Sequence, residues 1–367
     1  MGTGRSLSAA IVVACIGIGG IAFGCGGSSE NDGASGGAGG TPSGGSSSGG
    51  TSSGGSSTGG TSSGGTSSGG AAGVGAGGSA TGGSGGKLTA KECFKDIGGD
   101  GTLGPNYDQY GPTIGSHCYG TNQQDIQGVE KVVFLGDSVT AGTPPTPANQ
   151  FYRSLVGEEM KKKFPGVEIA DCSAWGARTD DLLVGQQQIP KCFPSGGDPK
   201  KTLVVFTIGG NDIAAWAKDL MPVAQAMTEA DKAADLLEDA VKWLIDPAKF
   251  PKGIYVIYAN PYEYTDATGD LYSCPAAVLG GLKGNWIEGA PAVVHLQERF
   301  LKIAVDHKAD MIFTLETFCG HGYHRDDQQG ICYRGPGAEL WFDITCIHPN
   351  PTGHAKIAEM FEAVVAE

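Results

Sequence analysis

Val132-Val133-Phe134-Leu135-Gly136-Asp137-Ser138-Val139-Thr140-Ala141-Gly142 is the stretch on which the fold turns. Four consecutive apolar residues give way at a glycine to Asp-Ser and then to helix-compatible residues. An apolar run without alternation suits a strand buried on both faces. The polar residues just past it then stand where strand turns to helix. There the Ser138 hydroxyl can project from the sheet edge and helix amides can face an anion.

The same pattern recurs downstream. Lys131–Gly136, Val167–Asp171, Thr202–Gly209, Gly253–Ala259 and Asp310–Glu316 read as strands. Asn149–Phe164, Met227–Ile245, Pro291–His307 and a closing segment, Thr352–Val365, carry apolar residues at helical spacing. Buried strands alternating with helices imply a parallel sheet with right-handed crossovers, that is, an α/β fold. In such sheets functional residues collect at the carboxyl ends of the strands.

Behind the first strand stands Gly136-Asp137-Ser138, behind the second Cys172-Ser-Ala-Trp-Gly176, and behind the third Gly209-Gly210-Asn211-Asp212. Close to the C-terminus lies His348-Pro349 with Gly353 before the last helix. These four blocks, in this order, resemble those of the SGNH, or GDSL-type, hydrolases over roughly Lys131 to the end of the chain. The resemblance implies a flavodoxin-like three-layer α/β/α sandwich with a central parallel sheet of about five strands. It also implies hydrolysis of a carboxylic ester without a cofactor or metal.

Chemistry asks for the same residues. A serine hydroxyl is a weak nucleophile near neutral pH, so a neutral imidazole has to accept its proton, and His348 is the candidate base for Ser138. Charge developing on the carbonyl oxygen needs preorganised donors. The Ser138 and Gly176 backbone N–H groups and the Asn211 side-chain amide can supply three. The resemblance places an acid three residues before the histidine, but that position is Thr345. Asp343, five residues before His348, is the nearest carboxylate and is read as the third catalytic residue. A backbone carbonyl near Thr345 and a merely capping role for Asp343 stand as alternatives.

The remaining sequence sets the context. Met1–Arg5 followed by the apolar run Ala9–Phe23 reads as an export signal, too short for a comfortable membrane span. Gly24-Cys25 resembles the end of a bacterial lipoprotein signal, although Ala22 and Phe23 depart from the usual pattern. That implies a lipidated Cys25 and a membrane tether at the outer surface or in the periplasm, with simple cleavage and secretion, or an uncleaved anchor, as the alternatives. Residues 26–86 are Gly/Ser-rich with almost no large apolar side chains, and read as a flexible linker reaching roughly 40–50 Å. Residues 87–367 form the hydrolase domain, of which 87–130 look like an added N-terminal segment. The formal net charge of −14 argues against nucleic acid as a partner. The partner expected is a small-molecule, lipid or glycan ester, and the domain is expected to be a monomer.

Eight of the ten cysteines lie in the domain, with no CxxC pair, which in an exported chain points to disulfides. Cys93–Cys118 and Cys172–Cys192 are the pairs suggested by proximity. The pairing of Cys274, Cys319, Cys332 and Cys346 stays open. His321 and His324 read as part of a disulfide-closed rim loop. Two other functions fit the same residues: an acyltransferase using the same triad, which water exclusion would distinguish from a hydrolase, and a non-catalytic surface binding domain, which would not need Ser138, Asn211 and His348 together.

Overall fold

A computed structural model describes residues 88–95, 97 and 104–367; the readings of residues 1–25 as an export signal, of Cys25 as a lipid site and of 26–86 as a linker lie outside these. Five strands form: β1 (Lys131–Gly136), β2 (Glu168–Asp171), β3 (Thr202–Thr207), β4 (Ile254–Ala259) and β5 (Asp310–Ile312). They make one sheet in the order β2-β1-β3-β4-β5, every neighbouring pair parallel. Val132, Val133, Phe134 and Leu135 are buried, as are all six residues of β3, which is why these strands read as unbroken apolar runs.

Register decides where the chemistry sits. Gly136 lies opposite Thr207, Thr207 opposite Ala259, and Ala259 opposite Ile312. The carboxyl ends of four strands therefore finish in one row. The chain moves outward one way from β1 to β2 and the other way from β3 to β5, so the order reverses between β1 and β3. Such a switch point opens a crevice beyond the strand ends.

Helices cover both faces. A one-turn helix α1 (Ser138–Ala141) and α2 (Tyr152–Lys163) follow β1, and α3 (Gly210–Lys218) and α4 (Val223–Leu244) follow β3. Then come α5 (Ala290–His307) and the closing α6 (Pro351–Ala366). Packing joins α2 to α6 and α4 to α5. Because right-handed crossovers running in opposite directions put their helices on opposite faces, the two pairs sandwich the sheet in three layers.

One expectation needed adjustment. The last strand stops at Ile312 instead of running to Glu316, and Thr314–Phe318 is helical. The cause is tertiary: Asn260 Oδ1, just past β4, accepts the Leu315 N–H at 3.1 Å and Asn260 also takes the Thr314 hydroxyl, drawing the chain into a turn. The stretch from Trp216 to Asp246 is largely α4 and belongs to the covering layer. Residues from Pro261–Gly289 line the cleft.

The segment before β1 packs along β5. Gly120 bridges Ile312, the Thr121 hydroxyl donates to Asp310 Oδ1 at 2.7 Å, and Phe94 meets Phe313 edge-on. Four disulfides are formed: Cys93–Cys118, Cys172–Cys192, Cys274–Cys346 and Cys319–Cys332. Cys93–Cys118 and Cys172–Cys192 are the pairs suggested by proximity. Four bridges fit an extracellular or secreted protein. Among the described residues no helix is long and apolar enough to cross a membrane.

Candidate active site

Each element end delivers one group. At the end of β1, Gly136 takes φ 112°, and a Cβ there would lie 2.1 Å from the Thr207 carbonyl oxygen, so only glycine lets β1 turn while hugging β3. Asp137 caps the turn that follows. Its Oδ1 accepts the Val139 N–H at 2.9 Å and the Thr207 hydroxyl at 2.8 Å. Burial pushes the Asp137 carboxyl up to about 6, against those bonds. The next residue, Ser138, opens α1.

At the end of β3, Gly209 at φ 96° turns the chain into α3. Asn211 in its first turn donates through Nδ2 to the Ala177 carbonyl at 2.9 Å. Asp212 faces the other way and takes the Thr179 N–H and hydroxyl at 3.2 and 3.3 Å; burial pushes it up to about 7. Gly176, beside Ala177 on the loop after β2, is exposed at φ 74°.

His348 arrives on a tight turn. Phe342 bridges Pro349 in antiparallel fashion, the Asp343 N–H donates to the His348 carbonyl at 2.9 Å, and the Cys346 N–H donates to the Asp343 carbonyl at 3.0 Å. Residues five apart in sequence thus face each other across a hairpin. The Tyr262 hydroxyl holds the Ile347 carbonyl at 3.0 Å and the Tyr323 hydroxyl the Asp343 carbonyl at 3.2 Å. Cys346 is bridged to Cys274.

Ser138 Oγ and His348 Nε2 stand 2.9 Å apart, although 210 residues separate them in sequence. Burial pushes the imidazole down to about 4, so it is neutral near pH 7 and has a lone pair at one nitrogen. On the other side, Nδ1 lies 2.8 Å from the Thr345 hydroxyl oxygen. That hydroxyl donates in turn to Asp343 Oδ1, which also accepts the Thr345 N–H at 2.7 Å. Asp343 therefore stands behind His348 with one hydroxyl between them. Thr345, set aside at the sequence level because it carries no carboxylate, is the group that touches the imidazole. The signal was present, as a hydroxyl at the acid's position with an aspartate two residues earlier.

Ser138, Asn211 and His348 share the wall of a cavity of about 430 Å³. Its remaining walls are mostly apolar, including Ile213, Ala217, Leu282, Trp286 and Val293, with Tyr262 close to the histidine loop. Gly176 is not part of that wall. Trp175 is exposed, its indole N–H capping the Gly142 carbonyl, and Trp216 is buried. His321 stacks on Trp341 and His324 pairs with Asp270. His354, in the first turn of α6, is buried against Phe151 and Tyr152.

A parallel α/β sheet with a serine and a histidine meeting beyond its carboxyl edge is the build of a hydrolase. A profile of the GDSL-like lipase/acylhydrolase family matches residues 134–356, more than half of the chain, and the chain belongs to that family. Among solved structures it is similar to an extracellular lipase from Streptomyces rimosus, at 18% identity with a TM-score of 0.42, covering 64% of this chain and 99% of that one. A phospholipase A1 from Streptomyces albidoflavus NA297 matches with the same four values. An acetyl xylan esterase, AlAXEase, matches at 20% identity and a TM-score of 0.43, covering 64% and 99%. A comparison with curated proteins gives no match.

Proposed function

We propose that this chain hydrolyses carboxylic esters through an acyl-enzyme on Ser138. His348 Nε2 takes the hydroxyl proton as Oγ attacks the carbonyl carbon, then gives it to the departing alcohol. Water, activated by the same nitrogen, releases the acid and restores the serine. The Ser138 and Gly176 N–H groups and the Asn211 amide receive the negative oxygen, and Asp343 is the acid behind the base. The observation that carries the reading is the 2.9 Å approach of Ser138 Oγ to His348 Nε2 on the wall of a largely apolar cavity.

That cavity suits the acyl group, so the acyl part of the substrate is apolar. Each buried methylene contributes about 0.8 kcal/mol, or roughly fourfold in specificity, until the space is filled. Within the same reading the chain acts outside the cytoplasm, as the four disulfides favour. Residues 1–25 are then an export signal, lipidated at Cys25, and 26–86 a linker to the catalytic residues in 87–367.

The test is hydrolysis of p-nitrophenyl esters from acetyl to palmitoyl. Specificity is expected to climb with chain length and then level off, and Ser138→Ala is expected to lose at least about 10⁴-fold in kcat with its circular dichroism unchanged. A folded, active Ser138→Ala protein removes the nucleophile assignment. A flat or falling series removes the acyl assignment of the cavity.

A further inference from the structure

We infer that Thr345 is a positioning residue for His348, its hydroxyl joining the imidazole to the Asp343 carboxylate at the position where the family carries an acid. The inference rests on the Ser138–His348 reading above. Among the described residues, His348 Nδ1 has Thr345 Oγ1 at 2.8 Å as its hydrogen-bond partner and no other. No backbone carbonyl reaches it.

The direction of the chain follows from counting hydrogens. A threonine hydroxyl has one hydrogen to give and lone pairs to accept with, and an ionised carboxylate only accepts. Thr345 spends its hydrogen on Asp343 Oδ1. Its oxygen is then left to accept, and the group offering a hydrogen is Nδ1–H. Holding the hydrogen on Nδ1 leaves the lone pair on Nε2, the nitrogen that faces Ser138 Oγ. A neutral residue thereby selects the tautomer that an aspartate would otherwise select. No proton moves between Nδ1 and Thr345 during turnover; the imidazolium formed on attack keeps its Nδ1–H and is stabilised through the polarised hydroxyl by the carboxylate beyond it.

Asp343 carries a second sign of this role. Its Oδ1 already caps the turn by taking the Thr345 N–H, a task that an uncharged Asn or Ser performs equally well. Yet Oδ2 of the same carboxylate is buried without a partner among the described residues, a burden of about 1–3 kcal/mol or more for a charged group. A turn cap has no use for that burden. A charge set behind a base does.

The experiment uses the whole chain and a soluble short ester, p-nitrophenyl butyrate, with circular dichroism on every variant. Thr345→Val is expected to lower kcat by on the order of 10²-fold or more, with KM changed by less than about threefold, since the wrong tautomer is then free to form. Thr345→Ser restores the hydroxyl and is expected to recover turnover to within about fivefold of the parent. Thr345→Val combined with Asp343→Asn is expected to be no worse than the poorer single variant, because one broken chain is not broken twice. If Thr345→Val does not fold, Thr345→Ala is read in its place. Turnover within fivefold of the parent for the variant lacking the hydroxyl, failure of Thr345→Ser to rescue, or losses that multiply in the double variant each overturn the inference. Ser138→Ala separates the two failures: if it is inactive while Thr345→Val keeps full turnover, the positioning role falls and the hydrolase reading stands.

Discussion

Asn211 donates one of its two amide hydrogens to the Ala177 carbonyl at 2.9 Å, and this bond fixes the plane of the amide on the cavity wall that Ser138 also lines. On the proposed reading the second hydrogen goes to the negative oxygen of the substrate. The loop after β2 thus holds a side chain that belongs to α3.

Asn211→Ala is expected to lower kcat by about 10²–10³-fold while KM moves little, as for the loss of one preorganised oxyanion donor. Steady-state kinetics on a short-chain ester checks it. A loss below tenfold would mean that the negative oxygen is held elsewhere.

The acid side of the pH profile reports the base. On the proposed reading His348 works as the neutral imidazole, so kcat/KM is expected to rise with pH through its ionisation and to be level above it. Burial pushes that ionisation to about 4, so the acid limb is expected well below the 6.5 of an exposed imidazole. Burial also pushes the Asp343 carboxyl, one hydroxyl away, above its ordinary value. Asp343→Asn is expected to lower the plateau at least a hundredfold, on the precedent of a triad aspartate. A limb that stays at 6.5 in both proteins would assign it to another group.

Glu316 is expected to make the fold less stable as pH rises. It is 2% exposed, accepts the Asn260 amide at 3.1 Å through Oε2, and has no partner at Oε1 among the described residues. Burial pushes it from 4.5 up to about 7. Below 4.5 both folded and unfolded chains hold the proton. Between 4.5 and 7 the unfolded chain releases it first, so stability falls across that window and is level above it. A rise of this size corresponds to about 3 kcal/mol. Urea unfolding at pH 4.5 and pH 8 is expected to show Glu316→Gln gaining stability relative to the parent by up to that amount at the higher pH. An equal difference at both values would contradict it.

What the chain discloses on reading depends on how local the cause is. β1 is legible to its end residues because both faces are buried and Gly136 must turn against Thr207. The end of β5 is not, since the turn at Thr314 answers to Asn260, 54 residues away. Cys93–Cys118 and Cys172–Cys192 close short segments and are readable from proximity, whereas Cys319–Cys332, only 13 apart, stays open on reading because Cys274 and Cys346, 72 apart, stand as other partners. The blocks that carry Ser138, Asn211 and His348 are each set by their own strand end or turn. Thr345 shows its part only when the hairpin at 342–349 puts its hydroxyl between two side chains.

The Cys274–Cys346 bridge fastens the segment that walls the cavity to the turn that carries the base. Both sulfurs belong to buried residues, and Cys346 lies two positions before His348. On the proposed reading, the chamber that holds the acyl group and the group that breaks the ester are in this way covalently joined. A change in Pro261–Gly289 that widens or narrows the chamber is then expected to move the imidazole as well, so that altered preference comes with altered rate and both have to be retuned at once.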